Sequence, residues 1–195
     1  MPRPSRRDHL VQTAIGLFCE HGFHATGIDM ILDRAGVSKK TMYEHFRTKD
    51  ELILAALRQY DSQFRNFFMR EVEKAGATPQ EKLLAIFDVA HAWFTQTNFF
   101  GCTFINAVGE YSEKDSPICA VSREFKTMMR NYIEKLAVEA GAANANELAS
   151  ELSLLLEGAI VTAQVSHDLK AAYTAQKIAG IVLDRYLPVH NSVKK

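Results

Sequence analysis

Apolar residues recur along this chain at spacings of three and four, and no stretch alternates convincingly with period two, so the pattern predicts helices and no strands. Leu10, Ala14, Leu17 and Phe18 mark the first helix, which Gly22 ends. Thr26 to Asp29 has capping-box spacing and opens a second helix, with Ile28, Ile31, Leu32 and Ala35 on its apolar face. Gly36 suits a tight turn because it tolerates positive φ, and Ser38 can cap a third, short helix beginning at Lys39. Val37, Met42 and Phe46 would close the small core. Thr48 to Glu51 repeats the capping-box spacing and launches a long helix through Leu52, Ala56, Tyr60 and Phe64.

Further along, Thr78, Pro79 and Glu81 give another start signal, and Leu83, Phe87, Ala90, His91 and Phe94 mark one face of a helix expected to end near Thr97. Asn98 to Gly101 reads as a break before a shorter helix over Phe104 to Tyr111. Ser116 and Pro117 start the next, apolar at Val121, Phe125, Met128, Tyr132 and Leu136 and stopped by Gly141. Asn144 or Asn146 caps a helix carrying Leu148, Leu152, Leu155, Leu156, Ala159, Ile160 and Ala163. The last runs from about Ala171 to Tyr186, is apolar at Ile178, Val182 and Leu183, and stops at Pro188. The tail from His190 is expected to be disordered. The fold class is therefore all-α.

Composition alone hides the functional signal, because 23 Lys and Arg balance 23 Asp and Glu. The distribution does not balance. Residues 1–49 hold eight cations against five anions, a surplus of three positive charges, and the rest of the chain carries the compensating deficit. With 195 residues and 47% hydrophobic content, two domains are expected, divided as 1–49 and 50–195. The basic end coincides with the short third helix, whose exposed face would present Lys39, Lys40, Thr41, Tyr43 and His45. Such a face suits a DNA major groove and its flanking phosphates. Arg3, Arg6 and Arg7 form a basic N-terminus that could either add phosphate contacts as a flexible arm or simply fray.

Gly22-Phe23, Ala25-Thr26, Ile28, Ile31, Ala35-Gly-Val-Ser38, Thr41, Tyr43, His45-Phe46, Lys49 and Leu52 together resemble the N-terminal domain of the tetracycline-repressor (TetR) family of one-component bacterial regulators. The resemblance runs from about Arg7 to Leu57. It implies a three-helix DNA-binding domain with a helix-turn-helix, followed by a larger helical domain for effector binding and dimerisation. By that resemblance Lys39, Lys40 and Thr41 reach base edges or nearby backbone, Thr26, Tyr43, His45 and Lys49 mainly anchor phosphates, and Ser38, which caps the helix, counts among the DNA-binding residues. It also implies a homodimer on a partly palindromic double-stranded operator, with Leu152, Leu155, Ala159, Ile160, Ile178 and Val182 at the interface between chains.

Eight of the twelve phenylalanines lie between residues 64 and 104, with Trp93 among them. They read either as an aromatic core or as the lining of a pocket, with His91, Asn106 or Tyr132 orienting a guest. The family's effector cavity lies among these helices, so the expected pocket residues are Phe64, Phe68, Phe87, His91, Phe94, Phe104 and Phe125, and the expected effector is hydrophobic or aromatic. Cys19, Cys102 and Cys119 are an odd set without framework spacing, which suggests a reducing cytoplasm. Cys102 reads as a small buried hydrophobe, or else as a thiol sensor at a helix start. No metal-ligand spacing, phosphate-binding glycine loop, signal peptide or membrane-length apolar run is present, and no cofactor is expected. The reading is a cytoplasmic, ligand-responsive regulator, most simply a repressor. Its alternatives are an activator of the same family and a small-molecule enzyme using Cys102 and His91.

Overall fold

The computed structural model describes residues 5–111, 113 and 115–187; most of the expected basic arm, the stop at Pro188 and the tail from His190 lie outside them. Among the described residues the regular elements are all helical: α1 (Arg6–His21), α2 (Ile28–Ala35), α3 (Lys39–His45), α4 (Lys49–Ala75), α5 (Pro79–Phe94), α6 (Thr103–Glu110), α7 (Pro117–Glu139), α8 (Ala145–Ser166) and α9 (Ala171–Tyr186). Arg6 and Arg7 belong to α1, not to an arm, because Ser5 caps that helix by accepting from the Asp8 N–H. The chain divides into two compact units, Met1–Arg65 with Cys102–Phe125 and Asn66–Gly101 with Lys126–Lys195, whose boundaries fall inside α4 and α7.

In the first unit, α1 supplies a buried face of Leu10, Val11, Ala14, Ile15, Leu17 and Phe18, against which the short helices α2 and α3 pack. Ile31, Leu32, Ala35, Met42 and Phe46 complete that core. Gly22 ends α1 at φ +85°, and Phe23 turns inward to stack on Phe18 with ring centroids 5.1 Å apart. The expected cap at Thr26 is not made. Gly27 occupies the cap position of α2 without a side-chain bond, and Thr26 is fully buried. Its hydroxyl donates to the Gly22 carbonyl at 2.7 Å, with the Leu17 carbonyl at 3.2 Å, so it ties the end of α1 to the start of α2.

In the second unit, α5, α8 and α9 pack together. Thr78 and Glu81 make the expected capping box with Pro79 in the first turn, yet α5 ends at Phe94, short of Thr97. Asn144, not Asn146, caps α8 by accepting from the Glu147 N–H. The α9 stripe of Ala171, Ala172, Ala175, Ala179 and Leu183 is small enough for close approach to α8. Gln176 donates to the Leu84 carbonyl and Tyr186 to Glu151, satisfying polar groups along both seams. Lys126 bridges to Glu157 at 2.6 Å, joining α7 to α8.

Replacing Thr26 with Val keeps shape but removes the buried donor, leaving the Leu17 and Gly22 carbonyls short of a partner. The expected loss is about 1–3 kcal/mol, read as a lowered thermal midpoint. An unchanged midpoint would show that the tie contributes nothing.

Candidate nucleic-acid interface

The geometry of α2 and α3 follows from a few residues between them. Gly36 adopts the left-handed conformation at φ +64°, which lets its N–H bond the Asp33 carbonyl and lets the Val37 N–H return to the Leu32 carbonyl at 3.2 Å. This closes α2 and reverses the chain. Ser38 then accepts from the Thr41 N–H at 3.1 Å and caps α3. Met42 and Phe46, one turn apart, are buried, so the opposite face of α3 must point outward. Lys39, Lys40, Tyr43 and His45 are exposed there, with Tyr43 at 45%. Thr41 is half-buried, its hydroxyl 3.0 Å from that of Ser38.

Several polar ties hold this surface in place. His9 Nε2 lies 3.1 Å from the Ala35 carbonyl at the end of α2, and the Arg7 guanidinium lies over the Phe46 ring, 5.2 Å from its centroid. Lys49 donates to the Phe23 carbonyl at 2.6 Å and more weakly to that of His24 at 3.4 Å. Burial lowers its pKa, with Asp50 and Glu110 pulling the other way. Two of its three donors are thus committed to the α1–α2 turn, which leaves one for the phosphate role expected of this side chain. Thr26 has no free hydroxyl to offer, and the phosphate role expected of its side chain does not fit its burial. Sequence reading passed over Arg47, which is exposed in the turn between α3 and α4 while its backbone N–H is held by Glu51 at 2.7 Å. Its position between two capped helices was the available signal.

The aromatic residues fall into separate groups. In the first unit, Phe104 and Phe125 stack with centroids 3.9 Å apart, Phe64 meets Phe125 edge-on at 6.0 Å, and Tyr60 contacts both Phe64 and Phe104. Rings this close leave no gap between Phe104 and Phe125 for a guest. In the second unit, Phe68, Phe87 and Phe94 are buried, and Phe94, Trp93 and Phe99 form a cluster with centroids 5.0–5.7 Å apart. His91 is stacked on Tyr173 of α9 at 4.3 Å, and its Nδ1 lies 3.1 Å from the Tyr173 hydroxyl. Cys102 stands at the start of α6 and is buried, while burial raises the pKa of Cys19, whose sulfur lies 3.2 Å from the Thr103 hydroxyl. Among the described residues no group of three or more His, Cys, Asp or Glu could hold a metal ion.

The expected interface residues divide in the same way. Leu152, Ala159 and Ile160 are already covered by the chain itself, so they belong to its interior. Leu155 and Val182 are half-buried and Ile178 is 44% exposed. Exposed with Ile178 are Ile181 on α9, at 68%, and on α8 the residues Leu154, Gly158, Val161 and Val165, at 74% for Leu154 and 72% for Val165, none of which was among the expected interface residues. α8 is apolar on both sides and is long and apolar enough to cross a membrane by length and composition alone. Its inner side packs against α5 and α9.

Comparison with known proteins agrees with this architecture. The family model for bacterial regulatory proteins of the TetR family matches residues 10–56, and that for the tetracyclin repressor-like C-terminal domain matches residues 79–179. The HTH-type transcriptional activator FasR of Mycolicibacterium smegmatis is 48% identical over 60 residues, covering 31% of this chain and 27% of that protein. The HTH-type transcriptional repressor KstR2 of the same organism is 33% identical over 84 residues, covering 43% and 40%. The chain therefore spans well under half the length of these curated relatives. The crystal structure of a TetR-family transcriptional regulator from Streptomyces coelicolor matches with a TM-score of 0.85 and 26% identity, over 93% of this chain and 95% of that one. The second family model alone covers more than half of the sequence, and with the helix-turn-helix at residues 28–45 it assigns the chain to the TetR family of bacterial regulatory proteins.

Proposed function

We propose that the chain is a ligand-responsive transcriptional repressor that binds a partly palindromic operator as a homodimer in the cytoplasm. The observation that carries this reading is the outward face of α3, where Lys39, Lys40, Tyr43 and His45 stand free of the core on a helix fixed by Met42 and Phe46. A helix presented in this way enters a major groove, with cations on phosphates and Thr41 close to base edges. The surplus of positive charge in residues 1–49 supports it, since phosphate neutralisation supplies most of the affinity. Family membership adds an effector that favours one of two conformations and so changes operator affinity. The aromatic groups around Phe104 and Phe125 and around Phe87 and Phe94 suit a hydrophobic or aromatic effector, whose entry would have to part rings that are buried and packed on each other.

The dimer reading rests on the outer stripes of α8 and α9. Exposed Leu154, Val161, Val165 and Ile181 form an apolar surface of the kind that a second copy covers in a four-helix arrangement. The open position of Gly158, with no atom within 4 Å of an added Cβ, leaves room for a partner helix to approach.

Titration of a palindrome from the gene's own upstream region, at several salt concentrations, should give a steep negative slope of log K against log salt. Lys40→Ala should weaken binding to every sequence and reduce that slope by about 1, whereas Thr41→Ala should cost about 1–3 kcal/mol selectively at one base position. Equal affinity for operator and random DNA would remove the reading.

Ile181→Glu or Leu154→Glu should convert a dimer into a folded monomer, because a buried unpaired charge costs several kcal/mol at an interface and little on a free surface. Leu152→Ala should instead lower the melting midpoint, by about 2–5 kcal/mol of stability, without changing the assembly. Light scattering and thermal melts separate these outcomes, and a wild-type monomer would contradict the dimer.

A further inference from the structure

The α1–α2 turn is gripped from both sides. After Gly22, the backbone N–H groups of Phe23 and His24 point toward the carboxylate at the end of α6: Glu110 Oε1 accepts from Phe23 at 2.7 Å and Oε2 from His24 at 2.5 Å. The two carbonyls of the same residues accept from Lys49 at the start of α4. Gly22 makes room for this approach, since a Cβ there would stand 2.8 Å from Glu110 Oε1. Below the turn, Phe23 is buried against Phe18, and its ring meets Tyr111 edge-on at 6.4 Å. Above it, His24 is exposed, with Nδ1 3.3 Å from Glu110 and its ring 4.8 Å from that of Tyr111.

We propose that Glu110 is a positioning residue for operator recognition, acting through the backbone of Phe23 and His24. The turn sets where α2 begins, and α2 sets α3 through the rigid Gly36 reversal, so a carboxylate that fixes two consecutive amides fixes the pose of the reading helix on α1. Both oxygens are needed. An amide side chain offers one acceptor and turns an NH2 group toward the second N–H, which the backbone then presents to no partner. The carboxylate also borders an open pocket of about 440 Å³ whose wall includes His24, Asp50, Tyr111 and Ile118, so the grip can be released without unpacking the Phe18–Phe23 core. Sequence places Glu110 in the segment matched by the C-terminal family model, yet the structure builds it into the unit that contains the reading helices.

The proposal rests on the operator-binding reading, and the test keeps the two apart. In Glu110→Gln, hydrogen exchange should expose the Phe23 and His24 amides, and operator affinity should fall about tenfold or more while affinity for random DNA stays within about twofold. His24→Ala, which removes the ring but keeps both backbone bonds, should bind operator like the wild type. Should Glu110→Gln fail to fold, the wild type alone decides: linkage requires operator binding to raise protection at the Phe23 and His24 amides. Glu110→Gln that loses this protection yet binds operator normally overturns the proposal, as does wild-type exchange at these amides that is unaltered by operator. A wild type without operator preference would overturn the functional reading instead.

Discussion

A helix of seven residues cannot hold itself in water, because isolated helices shorter than about 12–15 residues are marginal even with favourable sequences. α3 is such a helix, and it carries the surface proposed to read DNA. Its existence depends on burial of Met42 and Phe46 against α1 and on termination of α2 by Gly36, with Ser38 satisfying one of the amides left open at its start. The rest of the first unit serves the same end. Thr26 joins the end of α1 to the turn before α2, His9 reaches the last carbonyl of α2, and Arg7 covers the Phe46 ring. The reading surface is then exposed because its opposite face is fully committed.

The second unit solves a different problem. α8 is apolar on two sides, so packing against α5 and α9 leaves a second stripe uncovered. Small residues on α9 allow the close inner seam, and the larger Ile178 and Ile181 remain outside. One helix thus contributes to the chain's own core and to a surface suited to a second copy. For a regulator on a two-fold operator, this links the stability of the assembly to its ability to place two α3 helices on successive grooves.

The sequence made α1 to α3 legible because their signals are local. Gly22, Gly36, Ser38 and the 3–4 spacing of apolar residues each act within a few positions of where they stand, and α1 to α3 follow from them. Capping departs from the expected spacing where a residue has a better use: Thr26 is drawn into the core by two carbonyls, and although Thr48 accepts from the Glu51 N–H as expected, the Glu51 carboxylate takes the Arg47 N–H instead of closing the box on Thr48. The outer stripe of α8 was not legible. When Leu152, Leu154, Leu155 and Leu156 are all apolar, periodicity identifies a helix without saying which side its own chain covers. Glu110 was invisible for a related reason, since its partners are backbone amides 86 and 87 residues away and carry no side-chain signature.

The central claim is that a fixed, outward-facing α3 reads sequence in a two-fold arrangement. Selection of preferred duplexes from a random pool, followed by anisotropy titration of the best duplex and a scrambled one, tests it directly. The account predicts an enriched palindrome with half-sites about one helical turn apart or a multiple of it, bound by chains in pairs and at least ~10³ tighter than the scrambled duplex. Enrichment of no motif, or one chain binding both duplexes alike, would contradict it.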